Sequence, residues 1–153
     1  MTTIYCIDTS AVIDAGERYY PIDIFPAFWD KLDGLIQDGR LKAPQTLIDE
    51  LEAKDDAWRA WVYERREQMI WAIDESIQEA LSKVMPVYAG VVTNLDSIKG
   101  DPFFVAAAMA KGATLITSEK PRKGNVKIPR ICDSLGVAWS PMLDVVRFER
   151  WRF

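Results

Sequence analysis

Short apolar runs of strand length recur along this chain, and segments of helical period lie between them. "TIYCI" leads into "TSAVIDAG", "RLKAP" into "QTLIDELEA", and "DPFFVAAAMAKG" feeds "ATLITSE". Near the end, "VKIPRICDSLGVAW" offers an extended entry, a short helix and a last strand before the helix of "SPMLDVVRF". Strands that are apolar throughout are buried on both faces, which is the condition of a parallel sheet covered by helices on each side. The expected fold is therefore α/β, a three-layer α/β/α sandwich with a central parallel sheet. At 153 residues it forms one domain, 1–153, large enough for a real core.

The remaining segments fill in around this alternation. Gly16 is read as the stop of the first short helix. Phe25, Phe28, Trp29, Leu32, Leu35 and Ile36 follow helical spacing up to Gly39. From Asp56 to about Val84 the pattern is helical and divides into two helices, because no single face stays apolar. "VYAGVVTNLDSIKG" reads as a loop or helix–loop region. Asp101 before Pro102 opens an Ala-rich helix that Gly112 closes.

The residue inventory removes most chemistries. With no His, Ser-His-Asp triads, Cys-His pairs and the usual zinc sites are excluded. Neither GxxxxGK[ST] nor GxGxxG occurs, so the common phosphate loops are missing. Cys6 and Cys132 lie far apart in apolar contexts and are read as core thiols of a reduced, cytoplasmic protein. No apolar run approaches the ~20 residues that span a bilayer, so no membrane is expected. What is left suits hard, oxygen-ligated cations. The net charge of −4 argues against nucleic acid, but it is unevenly spread: Lys120, Arg122, Lys123, Lys127 and Arg130 follow Glu119 closely.

Four acids occupy suggestive places. Asp8 ends the first strand and Glu119 lies just past "TLIT"; if those strands are neighbours, both carboxylates share the carboxyl rim where such sheets bind ligands. Glu50 sits on the helix after "RLKAP", and Asp101 heads the helix that feeds "TLIT". Each also has an ordinary reading. Asp101 can cap its helix, Asp8 can cap the helix after it, Glu50 can be solvated surface, and Glu119 can belong to a turn.

Taken together, the ordered set strand-"DTS"-helix, an "ELE"-type acidic helix, "GDPFFVAAAMA" and "LITSE" resembles the PIN-domain ribonucleases, including the VapC-like toxins. The resemblance covers essentially the whole chain. It implies a metal-dependent endoribonuclease using Mg²⁺ or Mn²⁺, with Asp8, Glu50, Asp101 and Glu119 as catalytic metal ligands and Ser10 and Thr117 as supporting hydroxyls. It implies RNA as substrate, a cognate antitoxin protein as partner, and a homodimer. Arg18, Tyr19, Tyr20, Lys120, Arg122, Lys123 and Lys127 are the candidate substrate contacts; Trp58, Trp61 and the tail "RFERWRF" are candidates for the antitoxin. Two features depart from the family pattern: the fourth acid is Glu119 where Asp is usual, and "ERYYPIDIFPAFWDKL" is an unusual insert. The alternative is a PIN-like module that binds RNA or protein without cutting it.

Overall fold

The computed structural model describes residues 2–54, 56–92, 94–119 and 127–153. Five strands, β1 (Tyr5–Ile7), β2 (Leu41–Pro44), β3 (Ile70–Trp71), β4 (Thr114–Ile116) and β5 (Trp139–Ser140), form one sheet in the order β3-β2-β1-β4-β5. Every pairing is parallel. The chain builds outward from β1 through β2 to β3, then crosses back to lay β4 on the other side. That reversal makes the gap between β1 and β4 the switch point of the sheet.

Helices cover both faces and complete the three-layer α/β/α sandwich. On one face α7 (Asp101–Lys111) lies across β1, β2 and β4, with α6 (Glu75–Ala89) and α8 (Ile128–Leu135) packed against it. The run of small residues Ala106, Ala107 and Ala108, all buried, lets this helix approach the sheet closely. On the other face α2 (Pro26–Gln37) packs on β2, and its Phe28 meets Trp151, just beyond α9 (Met142–Phe148), edge to face. Cys6 and Cys132 are buried free thiols, as their apolar contexts imply.

Three local readings are corrected. Gly16 does not stop α1 (Thr9–Asp14): the helix runs on into a π turn, Ala15–Tyr19. Its missing side chain serves packing instead, since a Cβ there would stand 2.2 Å from Cζ2 of Trp58. The stretch after Asp56 is not two helices but α4 (Asp56–Glu64), the single turn α5 (Arg66–Met69), strand β3 and then α6. A two-residue edge strand is too short to display any period, so its signal is lost between helices. Finally, Trp58 and Trp61 are not an open partner face. Trp58 is buried and stacks on Trp29 with centroids 4.4 Å apart, while half-buried Trp61 lies under the Arg65 guanidinium at 4.0 Å.

Candidate active site at the carboxyl rim of the sheet

β1 and β4 are neighbours, with Ile7 opposite Ile116, so Asp8 and Thr117 leave the sheet side by side. Asp8 is 2 % exposed, and its Oδ1 accepts hydrogen bonds from the Ala11 N–H and the Ser10 hydroxyl, both at 2.8 Å. It thus does cap α1, as the ordinary reading held, while standing at the switch point. Ser10 ties the two strands' exits together: its Oγ accepts from the Ser118 N–H at 3.1 Å and lies 3.4 Å from Thr117 Oγ1. Thr117 Oγ1 in turn accepts from the Glu119 N–H at 3.1 Å.

The other acids arrive from helices. α3 (Thr46–Lys54) carries Glu50, whose two oxygens accept from the Thr9 hydroxyl and from the Gly100 N–H at 3.1 Å. That second bond brings Glu50 against the start of α7. A Cβ on Gly100 would run into both Thr46 Cγ2 and Glu50 Oε2, so the bare glycine leaves room for the carboxylate as it stands. Asp101 follows directly. Its side chain makes no capping bond, because Gly100 is the cap residue, and the capping explanation for Asp101 therefore fails. Glu119 reaches across to accept the Ile128 N–H at 2.8 Å. The extra methylene relative to Asp lets this carboxylate sit at the α8 N-terminus, where backbone donors and the helix dipole favour a negative charge.

The electrostatics show that these acids share one space. Asp101 is pushed up to about 8, mostly by burial and then by Glu119, Asp8 and Glu50 in turn; Lys127 opposes the rise. Asp8 is pushed up to about 7 by burial, against the lowering effect of Thr117, Ala11 and Ser10 and with a small push from Glu119. A fifth group, without a signal in the sequence, belongs here. Tyr88 on α6 is fully buried, and its hydroxyl has no hydrogen-bond partner among the described residues. Burial, then Asp101 and Glu119, hold that phenol in its protonated form. Nothing in its helical context distinguishes Tyr88 from a core residue; Thr9 and Gly100, beside the acids in "DTS" and "GDPFF", were the more legible omissions.

The all-oxygen donor set fits a hard divalent cation, and crowded, buried acids are the surroundings such an ion relieves. Among the described residues, however, no three acids form a group ready to hold one. Asp8, Glu50 and Glu119 are each held by donors of the chain itself. The remaining candidates divide. Lys127 adjoins the rim through its effect on Asp101. Tyr19 is exposed, Arg18 pairs with Asp14 at 3.7 Å, and the Tyr20 ring is stacked on Phe28 at 4.1 Å within the protein. Lys120, Arg122 and Lys123 lie outside the described residues. In the tail, Glu149 and Trp151 are engaged internally, whereas Phe148 and Phe153 are exposed. None of the helices among the described residues is long and apolar enough to cross a membrane.

Residues 5–153 match the family described as "Domain of unknown function (DUF4411)". No curated protein matches the chain. Among solved structures, the chain is similar to VapBC-1 from nontypeable Haemophilus influenzae, with a TM-score of 0.61 at 17% identity over 92% of this chain and 99% of that one. It is similar to VapBC2 from Rickettsia felis, a structure bound to a DNA fragment from their promoter, with a TM-score of 0.59 at 15% identity, covering 91% and 98%. FitAcB from Neisseria gonorrhoeae gives 0.53 at 18% identity, covering 89% and 96%. The fold is accordingly a PIN-domain, VapC-like one.

Proposed function

The chain belongs to the family described as "Domain of unknown function (DUF4411)", and from its VapC-like fold and its acidic rim we propose that it is a metal-dependent endoribonuclease, hydrolysing RNA phosphodiester bonds with Mg²⁺ or Mn²⁺. One observation carries this reading. Asp8 after β1, Glu50 on α3, Asp101 at the start of α7 and Glu119 after β4 are brought by separate elements to the sheet's switch point, near enough for the other three to push the Asp101 carboxyl up. A fold that only needed stability gains nothing from gathering like charges there.

Asp8 and Asp101 would be the principal ligands, with Glu50 and Glu119 completing the cluster. A bound divalent cation supplies polarisation of the phosphoryl oxygen and a water of lowered pKa. The chain's own groups hold the acids in place. The Ser10 hydroxyl and the Ala11 N–H fix Asp8, and the Thr9 hydroxyl and the Gly100 N–H each donate to one oxygen of Glu50. Lys127 places a positive charge beside Asp101, where an incoming phosphate needs one.

A second reading, a non-cutting module that binds RNA or protein, is favoured by the lack of a ready three-acid group among the described residues. Incubating the purified protein with a labelled single-stranded RNA separates the two. Fragments that appear with Mn²⁺ or Mg²⁺ and vanish with a chelator support the nuclease. RNA bound but left intact under all three conditions supports the module and ends the enzyme proposal.

The similarity to VapBC and FitAcB complexes further supports a cognate antitoxin as partner. Expression of the chain alone should arrest growth, and co-expression of a neighbouring small DNA-binding protein should relieve the arrest. Growth unaffected by the active protein would count against a toxin.

A further inference from the structure

A cleft of about 470 Å³ opens beside the candidate active site, and Glu50 and Gly100 form part of its wall. Ile73 and Phe103 give it an apolar floor, while Gln45, Asp49, Lys54 and Lys99 line it with polar ends. Neither lysine makes an ion pair among the described residues. The two carboxylates of the same wall are engaged elsewhere, Asp49 by the Gln45 amide and Glu50 by Thr9 and Gly100, so among the described residues both ammonium groups remain open to a ligand's anion.

The backbone adds a second observation. Lys99 has φ 49° and ψ −123°, and Gly100 has φ −88° and ψ 0°. These are the dihedrals of the two central residues of a type II′ turn, whose first central position belongs to glycine. A lysine there is strained, and such strain collects at functional sites. Gly100 N–H holds Glu50, so the strained turn joins the cleft to the acidic rim.

We propose that this cleft binds one nucleotide of the RNA strand beside the scissile phosphodiester, its base against Phe103 and Ile73 and its phosphate between Lys99 and Lys54. The inference rests on the ribonuclease reading and names where the strand lies. Aromatic and apolar floors accept any base face, while ammonium groups take the phosphate.

The test measures binding of a short single-stranded RNA over a range of salt, alongside cleavage with Mn²⁺. Lys99→Gly keeps the turn, which glycine adopts without strain, so its Tm should equal or exceed that of the unaltered protein. Its RNA affinity should fall several-fold, and the slope of log K against log salt should drop by about 0.7, the value for one lost phosphate contact on a single strand. Lys54→Met should show the same change in slope. Should the unaltered protein cleave RNA while both variants bind with its affinity and slope, the cleft is refuted and the nuclease stands. If the unaltered protein neither binds nor cleaves RNA, both proposals fall.

Discussion

The two ends of the sheet treat carboxylates in opposite ways. At the amino end, Glu149 receives the Arg40 guanidinium through two bonds of 2.9 and 2.8 Å and the Tyr5 hydroxyl at 2.7 Å. Arg40 also donates to the Thr3 carbonyl, so every partner is fixed. Arg40 and Tyr5 together hold the Glu149 carboxyl below the usual range. At the carboxyl end, Asp8 and Asp101 are raised to about 7 and about 8, and the nearest named cation, Lys127, only partly offsets Asp101. The same carboxylate group is thus a brace at one edge and an unresolved repulsion at the other. A carboxylate that stabilises its fold comes with its counter-charge; one kept for a ligand does not.

The sharpest way to break this contrast is to neutralise one acid at each end. Asp8→Asn should lower metal-dependent RNA cleavage by more than about 100-fold, since even outer-shell changes at metal sites cost 10–100-fold. Glu149→Gln should leave the cleavage rate of the folded protein unchanged. Equal losses in both variants, measured at a temperature where each is folded, would erase the distinction.

Stability should respond in the reverse order. Arg40 and Glu149 are 18% and 12% exposed, between the buried and surface limits for an ion pair, so Glu149→Gln should cost about 2 kcal/mol. Thermal denaturation then shows a Tm lower by roughly 4–8 °C.

The pH response sharpens the comparison further, because the signs differ. Glu149, with a lowered pKa, contributes stability above the ordinary carboxyl range and loses it as pH falls through its folded value. Asp8 and Asp101 bind protons more tightly when folded. Their penalty is absent below about pH 4, grows as pH rises, and is complete above about 8. Between pH 5 and pH 8 the metal-free protein should therefore lose Tm, Asp101→Asn should lose less, and Mn²⁺ should restore more at pH 8 than at pH 5. A flat profile would mean that the acids do not crowd.

The smallest effect belongs to Tyr88. Removing a buried hydroxyl that lacks a partner among the described residues should change stability by less than about 1 kcal/mol, with stabilisation the expected sign for Tyr88→Phe. A large loss of Tm would reveal a hydrogen bond that the hydroxyl makes in solution.

The amino-acid sequence showed the alternation of strands and helices well, because buried parallel strands are apolar along their whole length and Pro102 and Gly112 mark helix ends by fixed backbone chemistry. Asp8 and Glu119 could be placed at one rim once their strands were taken as neighbours. Glu50 was harder to place, since only the folded chain reveals the Gly100 N–H that it accepts. Gly16 reads as a stop because a glycine that ends a helix and one that admits an indole look alike in one dimension. Tyr88 gave no sign at all; its meaning comes from α6 lying against α7, a contact between distant segments.

The crossing of the chain between β3 and β4 has a temporal consequence. Asp8 and Glu50 belong to the half that builds β1 to β3, whereas Asp101 and Glu119 belong to the half that returns. A growing polypeptide on the ribosome therefore holds only two of the four acids until α7 has emerged. On the nuclease reading, the full set of acids, and any activity that needs it, is assembled only after α7 and β4 have left the ribosome.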